Sequence, residues 1–158
     1  LCILNILLGK SIPVYGDGHQ IRDWLFVDDH NTAIDLILSS EASGETYNIG
    51  GHNEIRNLDV VNLLCTLLDT RFVNDEKLKL RFPHSPCAQN ISAASLITFV
   101  RDRLGHDVRY AVDASKIKSA FDFLPNETFS TGLEKTVDWY IKNESWWENI
   151  RNGSYRTK

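Results

Sequence analysis

The run Leu1-Cys2-Ile3-Leu4-Asn5-Ile6-Leu7-Leu8 is almost continuously apolar and stops at Gly9, which predicts a helix closed by a glycine cap. Ile12–Tyr15 follows as a short extended segment, and Gly16-Asp17-Gly18 as a turn. Residues 21–27 read as a strand, with Ile21, Trp24 and Phe26 among its apolar positions. Asp28 or Asp29 is placed to cap a helix whose Ala33, Ile34, Ile37 and Leu38 share one face. After a loop ending at Gly44, residues 46–49 alternate as a strand does and close at Gly50-Gly51. Asn57 stands where an N-cap belongs, before Val60, Val61, Leu64, Leu67 and Leu68 on a helical face. Residues 71–94 are polar and weakly patterned, and read as a long loop. Residues 96–100 resume as a strand and Ser115–Phe121 as a short helix. Leu133, Val137, Tyr140 and Ile141 mark a last buried face, followed by Trp146-Trp147. Helices alternating with strands predict an α/β fold.

Composition narrows the picture. At 158 residues, 42% of them hydrophobic, the chain fits one globular unit with a modest core. A net charge of −4 gives no electrostatic reason to expect nucleic acid or a membrane surface as partner. Cys2, Cys65 and Cys87 are odd in number and far apart, which predicts reduced thiols, a cytoplasmic location and no structural metal. The opening apolar run is too short to span a bilayer and lacks the flanks of a signal peptide. There is no methionine, and no capping residue precedes the first helix, so a chain cut inside a helix is expected.

Two blocks carry the candidate chemistry. The first is Pro13-Val14-Tyr15-Gly16-Asp17-Gly18-His19-Gln20-Ile21-Arg22-Asp23-Trp24. The second is Asp102-Arg103-Leu104-Gly105-His106-Asp107, with Arg109-Tyr110 after it. Each brings an arginine, whose planar fork suits a pyrophosphate. A solvated strand arginine is the plainer account of Arg22 alone, and an edge strand the plainer account of Tyr15. His19, His30, His52 and His84 read as loop or cap residues. Neither Gly16/Gly18 nor Gly50/Gly51 fits G-x-G-x-x-G between a strand and a helix. No Tyr-x-x-x-Lys pair exists, since Tyr140/Lys142 and Tyr155/Lys158 are wrongly spaced.

Together the two blocks, with the ending Glu144-Ser145-Trp146-Trp147-Glu148-Asn149, resemble the sugar-nucleotide-binding part of the dTDP-glucose 4,6-dehydratases. These belong to the extended short-chain dehydrogenases/reductases, and the likeness runs over nearly the whole chain. It implies the C-terminal part of such a fold, an incomplete Rossmann lobe plus a small α/β substrate lobe. Residues 1–158 would form the substrate-binding region, with about 29–50 in the nucleotide-binding lobe and the NAD-binding half before Leu1. The resemblance implies that Arg22 contacts the pyrophosphate, that Pro13, Val14 and Tyr15 line the thymine site, and that Asp102, Arg103, Leu104, Gly105 and His106 form a second substrate block. Asn57 is implied as a nucleotide contact while also sufficing as an N-cap. Asp23 is expected to orient Arg22 or close a turn.

The implied parent reaction turns dTDP-glucose into dTDP-4-keto-6-deoxyglucose with bound NAD, its chemistry residing before Leu1. This chain alone is then expected to bind a dTDP-sugar, to hold no NAD and to be inactive. The intact enzyme would be a homodimer formed through the preceding half. A non-catalytic remnant or binding module, or a piece of a UDP-sugar epimerase or decarboxylase, remains the alternative. Leu104 stands where the family usually has proline, and Asp122 where glycine is common and positive φ often needed. A missing half should also uncover Ile34, Ile37, Leu38, Tyr47 and Ile49 and leave the isolated chain aggregation-prone.

Overall fold

The computed structural model describes residues 1–41 and 44–157. Two compact units share the chain: residues 1–12, 62–98 and 134–158, and residues 13–61 and 99–133. Two strands, β1 (Ile12–Tyr15) and β4 (Ile97–Val100), form one two-stranded sheet.

The first unit is helical. Helix α1 (Cys2–Leu7) ends as expected at Gly9, whose φ is +65°. Gly9 N–H bonds the carbonyl of Ile6 and Lys10 N–H that of Asn5, the paired bonds of a Schellman cap. A Cβ on Gly9 would lie 2.0 Å from the His84 carbonyl oxygen, so no other residue fits. The long helix α3 (Asn57–Asn74) runs into this unit, as does α6 (Phe129–Lys142), and α7 (Glu144–Arg151) follows. Ile6, Leu7, Leu68, Phe72 and Val137 are fully buried. Trp147 is buried too, its indole N–H satisfied by the Tyr140 carbonyl at 2.8 Å.

Residues 71–94 are not a loop. They hold the end of α3, helix α4 (Glu76–Arg81) and two 3-10 turns, Pro86–Gln89 and Ala93–Leu96. Asp75 caps α4 by accepting from Lys77 N–H. The Asp69 carboxylate closes the stretch by accepting from Cys87 Sγ, Ser92 Oγ and the backbone of Ala93. Phe72, Leu78 and Phe82 are buried beneath a polar exterior, which is why no clear period marks the stretch.

In the second unit, β2 (Ile21–Asp23) pairs antiparallel with β3 (Glu54–Arg56), Arg22 opposite Ile55, and Ile21 makes a parallel bridge to Arg109. The strand expected over 21–27 therefore stops early, and α2 (Val27–Leu38) begins at Val27. Neither Asp28 nor Asp29 caps it; the N-cap is Phe26. Asp29 is buried and instead accepts from the backbone N–H groups of Asn126 and Glu127. Residues 46–49 are not a strand, since a strand needs a backbone ladder and they form none among the described residues. Helix α5 (Ser115–Phe121) ends at Asp122, which holds φ +52° in a position that favours glycine.

The core of this unit is Ala33, Ala114, Ile117 and Phe123, with Ile37, Tyr47, Ile49 and Phe121 packed against it. Of the five residues expected to be uncovered, only Ile34 and Leu38 are exposed, because the other three turn onto that core. Among the described residues no helix is long and apolar enough to cross a membrane.

Candidate functional site

Both sequence blocks lie in the second unit, and backbone bonds lace them together. Gly16 N–H bonds the Val100 carbonyl, Ile21 N–H that of Val108, and Tyr110 N–H that of Ile21. The turn between β1 and β2 needs its glycines: Gly18 has φ +75°, and a Cβ there would meet Leu58 and Val14 at 2.8 Å. A Cβ on Gly16 would lie 2.9 Å from the Asp102 carboxylate.

His106 is the centre of the arrangement. Its Nδ1 lies 2.6 Å from Asp102 Oδ1, and its Nε2 lies 3.1 Å from Arg22 and 2.7 Å from Arg103. A guanidinium can only donate, so Nε2 accepts from both arginines, and Nδ1 carries the proton given to Asp102. Two cationic forks thus converge on one uncharged nitrogen. Arg22 is further held by the Ile21 and Asp107 carbonyls, at 2.6 and 3.0 Å, and lies 4.8 Å over the Tyr110 ring. Arg103 lies 5.3 Å over the Tyr15 ring, and Tyr15 meets His106 edge to face at 6.4 Å.

Local electrostatics follow from these contacts. The His106 N–H holds the Asp102 carboxyl below the usual carboxylate range, helped by Arg103 N–H and the Gln20 amide. Tyr110 donates to Asp107 at 2.5 Å, and that carboxylate pushes its phenol up. Arg109 is already matched by Glu54 at 2.6 Å. Among the described residues no cluster of His, Cys, Asp or Glu could hold a metal ion.

The structure thus brings together Tyr15, Arg22, Asp102, Arg103 and His106. Pro13 and Val14 lead into the same turn, with Val14 fully buried. Leu104 is 93% exposed and Gly105 has open space around it, so the tip of the second block is bare. Asn57 opens α3 with its backbone N–H on the Gln20 carbonyl, but its side chain makes no hydrogen bond to the arginine cluster among the described residues. Asp23 closes a turn, accepting from Gly51 and Asn53 N–H. Gln20, Asp107 and Tyr110 went unassigned in the sequence, although all three lie in or beside the two blocks.

A family model described as GDP-mannose 4,6 dehydratase matches residues 1–136. The dTDP-glucose 4,6-dehydratase of Neisseria meningitidis serogroup B is 55% identical over 156 residues, 99% of this chain and 41% of its own length. The crystal structure of dTDP-glucose 4,6-dehydratase from Bacillus anthracis in complex with NAD matches with a TM-score of 0.73 and 42% identity, over 94% of this chain and 40% of that one. The dTDP-glucose 4,6-dehydratase DesIV from Streptomyces venezuelae, also solved with NAD, matches with a TM-score of 0.75 and 34% identity, over 94% and 39%. The chain therefore spans about 40% of the length of these relatives.

Proposed function

The chain belongs to the GDP-mannose 4,6 dehydratase family, and on that footing we propose that it supplies the dTDP-sugar-binding part of a dTDP-glucose 4,6-dehydratase. The convergence of the Arg22 and Arg103 guanidiniums on His106 Nε2 carries this reading. Two guanidiniums meeting at one point suit an anion, and a diphosphate offers each fork its own oxygens. When the nucleotide arrives, the forks turn from the imidazole to the phosphates. Tyr15, 40% exposed beside Arg103, presents a ring against which a base can pack. Asp102 and His106 orient; nothing in the arrangement acts as acid, base or nucleophile on the sugar.

Gly16, Gly50 and Gly51 do not form a pyrophosphate cradle for NAD. Where a pyrophosphate cradle needs open glycine faces, those of Gly16 and Gly50 abut the Asp102 and Asp23 carboxylates, and that of Gly51 the Trp24 carbonyl. The hydride chemistry accordingly belongs to the rest of the relatives' length, and no step of it runs through these residues. We assign residues 29–50 to the nucleotide-binding lobe of the intact protein, for which the exposed Ile34 and Leu38 of α2 supply an apolar face.

Calorimetry with dTDP and dTMP tests the reading. Binding of dTDP at least tenfold tighter than dTMP is expected, since the second phosphate is what the paired arginines read, at about 1.4 kcal/mol per decade. Equal affinity for the two, or none for either, overturns it.

A further inference from the structure

One residue inside the first block has no role in the reading above. Gln20 is only 8% exposed, and its amide nitrogen donates to the Tyr15 carbonyl at 3.2 Å and to Asp102 Oδ2 at 3.1 Å. Both partners are acceptors, so the amide can face them only with its NH2 group. Its Oε1 is then buried without a hydrogen-bond partner among the described residues. A buried orphan oxygen is a desolvation cost that a leucine of similar shape would not carry.

The contact with Tyr15 does not justify that cost, because the Tyr15 carbonyl already accepts from Gly18 N–H at 3.1 Å. The contact with Asp102 has a consequence further on. Asp102 uses its other oxygen, Oδ1, to accept from Arg103 N–H at 2.8 Å and from His106 Nδ1 at 2.6 Å. With Oδ2 held by Gln20, the carboxylate plane is fixed and Oδ1 is aimed at the imidazole. The imidazole then keeps its proton on Nδ1 and offers Nε2 to Arg22 and Arg103.

We propose that Gln20 is the positioning residue of this site: by holding Asp102 it sets the tautomer of His106, and through it the meeting point of the two guanidiniums that a nucleoside diphosphate engages. This rests on the nucleotide-binding reading. Gln20 touches neither arginine and acts wholly through the carboxylate and the imidazole, as outer residues orient the inner ones of a binding site.

The test compares wild type with Gln20→Leu and Gln20→Glu, neither of which can donate to Asp102 at neutral pH. Imidazole 15N spectra report the tautomer of His106, whose signal is identified by its loss in His106→Gln. Wild type is expected in the Nδ1–H form, and both variants in a mixture of tautomers. Gln20→Leu should melt no lower than wild type while binding dTDP about 10-fold more weakly; a purely structural glutamine would lower both together or neither. An unchanged His106 spectrum in either folded variant overturns the proposal, as does unchanged dTDP affinity alongside a changed spectrum. If wild type binds no dTDP, the nucleotide reading fails, while the tautomer comparison still decides whether Gln20 positions His106.

Discussion

Replacing Arg22 by alanine separates binding from stability. Its guanidinium donates to the Ile21 and Asp107 carbonyls and to His106, and stacks on Tyr110. For the free protein, water can take over most of these bonds at a half-buried site, leaving a net loss of ~1–2 kcal/mol. In a protein of this size that lowers Tm by about 2–8 °C. For the bound protein the lost interaction is a charge-assisted bond to phosphate, ~1.5–3 kcal/mol. That converts to about 10- to 140-fold in Kd. Calorimetry at a temperature well below both melting transitions reads the second effect free of the first. Arg22→Lys keeps the charge but not the fork, so its loss of affinity should sit at the small end of that range. A Kd within twofold of wild type in Arg22→Ala, with Tm lowered, would show that Arg22 only braces the loop at 107–110 and would refute the reasoning.

Other outcomes follow from the same contacts. Asp29→Ala removes a buried carboxylate from the N–H groups of Asn126 and Glu127; denaturant unfolding should show a loss of ~2–4 kcal/mol, with Asp29→Asn recovering part of it. Asp122→Gly relieves a side chain held at φ +52° and should gain ~0.5–1 kcal/mol, whereas Asp122→Ala should gain nothing. Burial pushes the Cys65 thiol up to about 12 and that of Cys87 to about 11, from 9.0 for a free thiol. Their folded values lie above the unfolded one, so stability is complete below pH 9, falls as the unfolded chain alone ionises and is lost as the pH passes the folded values. Melting curves should therefore drop steeply between pH 9 and 11 in wild type and less steeply in Cys65→Ala.

Where local pattern and local chemistry agree, the sequence is a good guide. Gly9 ends α1 and Ser115–Phe121 is α5, each set by short-range rules of capping and period, and α3 starts at Asn57, inside the helix rather than as its cap. What local rules miss depends on partners far along the chain. Asp29 looks like a cap because aspartate is a favoured N-cap, yet the N–H groups that donate to its carboxylate lie at Asn126 and Glu127. Residues 71–94 look like a loop because their few buried residues are diluted by charge and their closure hangs on Asp69. Residues 46–49 have the alternation of a strand but form no backbone ladder among the described residues. The same holds at the site. Arginine pairs and a histidine are readable as anion chemistry, but that both forks meet on one imidazole nitrogen, with Gln20 behind it, is a matter of three dimensions.

The most direct test of the central claim is an NMR titration with dTDP that follows the side-chain Nε–H signals of the arginines. Saturable shifts at Arg22 and Arg103, accompanied by the ring signals of His106 and Tyr15 and absent at Arg109, which Glu54 already holds, are the predicted result. Saturable binding that leaves Arg22 and Arg103 unmoved, or that moves every arginine alike, would contradict it.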